Sequence, residues 1–277
     1  MPGKLREILG FLVFSNIYLS FGASVVAWLT LFVANLPFDI ELLFIPFAGG
    51  MFIYNLNRQT DTKEDRINVP ERMKFGNKYG NYLLGGSFVM YLAALYIAFL
   101  HSLPALFIAL LPGIIASFYS IKRLKKVYFF KNVLVGLSWG VTPLLVGFYN
   151  GVFSAEFLIL SVFFAVTFFV NTVIFDIKDM IGDSNAKVNT IPIKMGIQKT
   201  RNVCYASNIL ALIFLAASMV LGFVPIRSIV LLLFSAYVFY YVFRAEEKRD
   251  GFFYGVLVDG EFVFLYFILL ALTILHI

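Results

Sequence analysis

One cysteine, two histidines and only 14% charged residues are what this 277-residue chain holds sparingly. A single cysteine, Cys204, excludes an internal disulfide. His101 and His276 lie far apart in sequence and provide no metal-ligand spacing. The shortage of charge excludes more. A soluble domain averages about a quarter charged residues, whereas here 61% are hydrophobic and the mean hydropathy is +0.88. The composition is that of an integral membrane protein.

Apolar stretches long enough to cross a bilayer, ~17–25 residues each, recur along nearly the whole chain. The spans read as helices at 9–34, 38–58, 80–100, 104–120, 133–150, 155–177, 203–223, 226–243 and 253–275. The fold class is therefore all-α and polytopic, a bundle of about nine transmembrane helices forming one domain over 1–277. The first run is too long for a cleavable signal peptide and continues without an A-x-A-like site. An odd span count puts the termini on opposite sides. With the N-terminus inside, 21 of the 22 Lys and Arg residues fall on the inner side and only Arg227 falls outside. That asymmetry is the positive-inside pattern. It accounts for a net charge of +6 and a pI near 9.3 without invoking nucleic acid.

The inner side also carries two acid clusters. One, around NRQTDTKEDRINVPERMKF (residues 57–75), follows the second span, and FDIKDMIGDSNAKVNTIPIKMG (175–196) follows the sixth. One shift of 118 residues carries Asp61 onto Asp179 and Asp65 onto Asp183, and places Arg58 on Asp176. This relation suggests two pseudo-equivalent, aspartate-rich halves facing one another across a central cavity. On a helix, residues i and i+4 share a face, so each pair presents two carboxylates side by side. Like charges at that spacing repel. A divalent cation reverses the sign, and Mg²⁺ characteristically combines one or two carboxylates with substrate phosphates. Two facing pairs suit a Mg²⁺-bound diphosphate. The plainer alternative is solvated loop acids balancing nearby lysines.

At these residues the chain resembles the UbiA superfamily of intramembrane prenyltransferases. The first family motif, N-D-x-x-D-x-x-x-D running on to N-x-P-x-R, is matched by Asn57, Arg58, Asp61, Asp65, Asn68, Pro70 and Arg72. The second, D-x-x-D-x-x-x-D followed by T-x-P, is matched by Asp176, Asp179, Asp183, Thr190 and Pro192. The resemblance implies a helical bundle with both motifs at the cytoplasmic mouth of a central cavity. It further implies transfer of a polyprenyl group from its diphosphate to a lipophilic acceptor by Mg²⁺-assisted ionisation. Asp61, Asp65, Asp179 and Asp183 would carry catalysis, with Asn57 and Asp176 joining them around the metal. One position departs: Arg58 stands where the family has aspartate, so the cation either contacts the diphosphate or pairs with Asp61.

Neutralising a leaving diphosphate also needs cations. Arg58, Arg66, Arg72, Lys122, Arg123, Lys126 and Lys178 all fall on the inner side, and Tyr119 and Lys122 match a tyrosine and lysine common in the family. Topogenic charge or attraction to anionic headgroups is the alternative for any one of them. A carbocation needs a dry aromatic wall, and Tyr54, Tyr119, Trp139 and Phe175 are placed near the motif ends to supply one. Gly49, Gly50, Gly136 and Gly140 would allow close helix approach. Asp259 and Glu261 admit two readings. Either they are intramembrane acids, functional by default, or the last helix starts near Glu261 and leaves both at the interface. Rival activities are a terpene-cyclase-like reaction, divalent-cation transport, and binding without catalysis.

Overall fold

In the computed structural model, which describes residues 3–60, 69–122, 129–246 and 251–275, asparagines end the first two helices. Helix α1 (Gly3–Phe14) stops before Asn16, α2 (Ile17–Val33) before Asn35, and both asparagines sit in the left-handed region at φ 66° and 55°. Asn is among the few non-glycine residues that enter this region readily. The single span expected at 9–34 is thus broken and bent by 68°. The cause is local. Asn16 is buried, and its carboxamide bonds across to Asn55 and Arg58 rather than letting the helix continue.

Helix α3 (Ile40–Thr60) is capped by Asp39, whose Oδ1 accepts from the N–H groups of Glu41 and Leu42 at 2.9 and 3.1 Å. Helix α4 (Pro70–His101) starts well before the expected residue 80, with Pro70 in its first turn, where a missing N–H does no harm. Then follow α5 (Leu103–Lys122), α6 (Phe130–Tyr149) and α7 (Ala155–Asn185). A short α8 (Ile191–Met195) leads into α9 (Ile197–Val220), and a 3₁₀ turn at Ile226–Ile229 leads into α10 (Val230–Arg244). A π turn at Phe253–Val258 precedes α11 (Glu261–Ile274). Every regular element among the described residues is helical.

Seven helical stretches are long and apolar enough to cross a membrane, eight with the bent α1–α2 pair. The remaining expected span, 104–120, is α5, whose apolar stretch Leu103–Ser117 is shorter. The chain is a multi-pass integral membrane protein. Leu100, Phe107, Leu210, Phe243 and Phe267 point outward, as lipid-facing residues do.

Lipid tails are as apolar as leucine, so burial alone does not hold such helices together; close packing and hydrogen bonds do. The tightest example is α6 on α7. A Cβ on Gly136 would meet the Ala165 carbonyl oxygen at 2.4 Å, and one on Gly140 the Ser161 carbonyl oxygen at 2.7 Å. Gly50 does the same for α2 and α3, at 3.0 Å from Ser20 Oγ, but Gly49 has ordinary room. At the end remote from the aspartate motifs, Arg227 donates to Asn35 Oδ1 at 2.5 Å, joining two connections. This arrangement leaves the end of α3 and the start of α6 together at a cavity, with the end of α7 joined to it through Lys131.

Candidate active site

A cavity of about 270 Å³ lies among α2, α3, α5 and α6. Its charged end is formed by Asn57 and Arg58 from the last turn of α3, Arg72 from the first turn of α4 and Lys131 from the first turn of α6. From there the lining turns apolar, down to Ile45 on α3 and Leu145 on α6. At 1.5 Å rise per residue that descent is roughly 20 Å. Tyr54 and Trp139 form part of the wall, and the Trp139 indole N–H donates to the Tyr54 hydroxyl at 2.7 Å. Trp139 also stacks on Phe168 at 3.8 Å between ring centres. The wall is therefore rigid as well as aromatic.

The second acid cluster stands on the last turns of α7, where Asp176, Asp179 and Asp183 share one face of a continuous helix. Asp176 is 1% exposed, and both its oxygens are engaged: Lys131 Nζ donates to Oδ1 at 2.5 Å and Asn132 Nδ2 to Oδ2 at 2.8 Å. Asp183 Oδ2 lies 4.0 Å from the same Nζ. One ammonium thus sits between two carboxylates seven residues apart, so this face can converge on a cation. Asp179 lies 3.5 Å from Lys178 and keeps a quarter of its side chain exposed. Among the described residues, no group of three or more His, Cys, Asp or Glu closes into a metal cage.

Arg58 is held from behind. Its Nη2 donates to Asn16 Oδ1 at 2.8 Å, Asn16 Nδ2 donates to Asn55 Oδ1 at 3.0 Å, and Asn55 Nδ2 donates to the Met51 carbonyl at 2.8 Å. The break between α1 and α2 therefore supplies the acceptor that orients this guanidinium. A second, larger cavity of about 720 Å³ lies on the other side of Asn16 and Arg72, between α1, the start of α4 and the π turn before α11. Lys178, Phe175 and Asp259 line it.

A sequence profile of the UbiA prenyltransferase family matches residues 19–268. The chain belongs to the UbiA prenyltransferase family. It is an intramembrane prenyltransferase of that family, and solved members share its fold. A structure of digeranylgeranylglyceryl phosphate synthase superposes with a TM-score of 0.63 at 21% identity, over 96% of each chain. A UbiA homolog from Aeropyrum pernix K1 gives 0.68 at 16% identity, over 90% of this chain and 97% of that one. One from Archaeoglobus fulgidus, bound to GPP and Mg²⁺, gives 0.66 at 15%, over 94% and 98%. No curated protein matches significantly by sequence.

Within this UbiA fold the expected residues divide into three groups. Asn57, Arg58 and Arg72 reach the first cavity. Asp176, Asp179 and Asp183 stand on α7, the first and last of them joined to the mouth of that cavity through Lys131. Lys178 lines the second cavity, its ammonium 5.3 Å from the Phe175 ring centre and 5.8 Å from that of Tyr254. Asp61, Asp65, Arg66, Arg123 and Lys126 lie outside the described residues, as do the side chains of Tyr119 and Lys122. Of the aromatic candidates, Tyr54 and Trp139 line the first cavity and Phe175 the second.

Sequence reasoning missed Lys131, Asn132, Asn16 and Asn55. Lys131 was hidden in a run of topogenic cations. The three asparagines were legible in principle, because an amide in an apolar span needs partners. Asp259 and Glu261 flank Gly260 at the start of the last helix. Helix α11 does begin at Glu261, and both acids are buried within the protein, at 8% and 0% exposure.

Proposed function

We propose that this chain transfers a prenyl group from an isoprenyl diphosphate to a lipophilic acceptor, with the diphosphate at the charged end of the first cavity and the prenyl chain along its apolar length. The observation that carries this reading is the polarity of that cavity. Two arginines, a lysine and an asparagine cluster at one end, above a wall built from Tyr54, Trp139 and aliphatic side chains.

Whether the aspartates suit a metal can be tested on α7. A single ammonium already lies within 4.0 Å of both Asp176 and Asp183, so the face accepts a cation. Asp176 is committed to Lys131 and Asn132. Mg²⁺ would thus be held by Asp179 and Asp183, together with Asp61 and Asp65 of the first motif and the amide oxygen of Asn57. When bound it supplies positive charge to the leaving diphosphate. Asp176 serves best as the anchor that aims Lys131.

The chain's own residues do the rest. Arg58 and Arg72 offer planar, fixed donor forks to phosphate oxygens, and Lys131 adds a third cation. These charges stabilise the oxygen that departs with the bonding pair as the allylic C–O bond breaks. Tyr54 and Trp139 face the resulting positive charge with π density, and the apolar walls exclude water that would capture it. The positive-inside pattern supports a cytoplasmic N-terminus and two cytoplasmic motifs.

The test is incubation of purified protein with geranyl, farnesyl and geranylgeranyl diphosphates and a panel of lipophilic acceptors, read by mass spectrometry. Prenylated product that requires Mg²⁺ is expected, and Asp183→Asn should abolish it. Absence of both product and diphosphate release from all three donors would overturn the proposal.

A further inference from the structure

Where α3, α4 and α5 meet, one aromatic side chain stands directly behind the wall of the first cavity. The wall itself is bare there. Gly49 on α3 and Ala109 on α5 line the cavity and contribute nothing larger than a methyl group. The space behind them is filled from α4 by Tyr91, which is 5% exposed. A Cβ on Gly49 would lie 3.7 Å from Tyr91 Cε2, and one on Gly113, a turn along from Ala109, only 2.6 Å from the Tyr91 hydroxyl oxygen. That hydroxyl donates to the Ala109 carbonyl oxygen at 2.9 Å, and the ring stacks on Phe52 at 5.2 Å between centres. Hydrogen bond and stack together fix the ring in place.

The depth of Tyr91 matters. Gly49 precedes Arg58 by nine residues on one helix, so the ring meets the cavity roughly 13–14 Å below the cationic end. The floor lies deeper, at Ile45 and Leu145, roughly 20 Å down. Beneath it Leu42, Val146 and Phe157 are fully buried in the same packed cluster. An extended carbon chain advances about 3.8 Å per three bonds, hence about 5 Å per isoprene unit. About four units therefore reach from the diphosphate to the floor, and the third passes Tyr91. Several side chains close the floor, whereas one ring closes the flank.

Resting on the prenyl-transfer reading above, we infer that Tyr91 determines donor specificity: its ring closes a side branch of the prenyl cavity and limits the donor to about four isoprene units. A fifth unit meets packed side chains at the floor and a locked ring at the flank, and overpacking a filled interior is unfavourable. Without the ring, the space between α3, α4 and α5 joins the cavity, because Gly49 and Ala109 put no barrier between them. An apolar void of this kind, about 150 Å³ in an engineered core, stays dry and takes apolar ligands. A longer chain then turns into the branch at its third unit, and Phe52 becomes the wall it meets. Placed well below the cations, Tyr91 selects the donor without taking part in bond breaking.

The experiment uses the full-length purified protein with Mg²⁺ and unreactive thiolo-diphosphate analogues of increasing prenyl length, from geranyl upward to six units, with affinities read by titration calorimetry. In the parent, affinity should rise up to the four-unit analogue, and the five-unit one should bind at least about 10-fold more weakly. Tyr91→Ala should bind the five- and six-unit analogues at least as tightly as the four-unit one. Tyr91→Phe keeps the ring and should keep the parental order of affinities. Gly49→Leu puts a side chain into the cavity and should move the limit the other way, the four-unit analogue binding about 10-fold more weakly than geranyl. That variant carries the test if Tyr91→Ala does not fold.

A parental order of affinities in both Tyr91→Ala and Gly49→Leu would overturn the assignment. So would a parent that binds the six-unit analogue as tightly as the four-unit one, or a changed order in Tyr91→Phe, which would trace the effect to the hydroxyl instead of the ring. Failure of the donor reading is separable. The parent would then bind none of the analogues, or bind them all with an affinity that Arg58→Ala leaves unchanged, and the limit on length would fall with it.

Discussion

Asp176 belongs to the aspartate-rich motif by position, but its contacts make it an anchor for Lys131, and the two roles separate experimentally. At 2.5 Å and an effective dielectric constant of about 20, the ion pair attracts by roughly 6–7 kcal/mol. Desolvation of both groups takes back several kcal/mol of that. Removing one partner is nevertheless costly, about 3–5 kcal/mol for a buried pair. Lys131 keeps 25% of its side chain exposed and can regain some water. Asp176→Ala should therefore lie at the low end, about 3 kcal/mol. At about 2–4 °C per kcal/mol for a chain of this order, Tm in detergent should fall by about 6–12 °C. A double-mutant cycle with Lys131→Met should return about 1–3 kcal/mol of coupling. The decisive readout is metal dependence. Asp176→Asn should leave the midpoint of the Mg²⁺ titration close to the parent's while lowering diphosphate affinity, because Lys131 is no longer aimed. Asp183→Asn should raise that midpoint. Coupling under about 0.5 kcal/mol, or equal displacement of the midpoint in both variants, would refute the anchor role.

Three other perturbations are as direct. Arg58→Ala should weaken diphosphate binding by about 10–100-fold, the worth of a charge-assisted hydrogen bond of roughly 1.5–3 kcal/mol, and Asn16→Ala should do so less; Arg58→Asp should steepen the Mg²⁺ dependence. Identical affinities and titrations in all three would reduce Arg58 to a marker of the end of α3. Gly140→Val should destabilise by about 3 kcal/mol or more in thermal unfolding, since its Cβ would meet the α7 backbone at 2.7 Å. Gly86→Ala, with nothing within 4 Å, should be neutral or stabilising by about 0.5–1 kcal/mol. Finally, a cysteine placed at 62–76 should react with an impermeant thiol reagent only from the cytoplasmic side, and one at Leu36 only from outside. The native Cys204 is fully buried and should add little background.

Much of this protein was readable before any fold was known. Hydropathy determined the helical, membrane-spanning class, because only helices and closed barrels satisfy their backbones in lipid. The spacing of Asp176, Asp179 and Asp183 determined that they share a face, because helix periodicity is local. Other properties required the packed bundle. Nothing in the run FLVFSNIYLS announces that Asn16 bends the helix by 68°; its partners, Asn55 and Arg58, are some forty residues away. Lys131 looks like one topogenic cation among several until α6 closes on α7, through Gly136 and Gly140, and brings its ammonium to Asp176. Asp259 and Lys178 are far apart in the chain and line one cavity only because the π turn packs beside α1 and the end of α7. Local periodicity decides which side chains share a helix face. Which faces enclose a site depends on long-range steric fit between helices, and only the tertiary structure settles that.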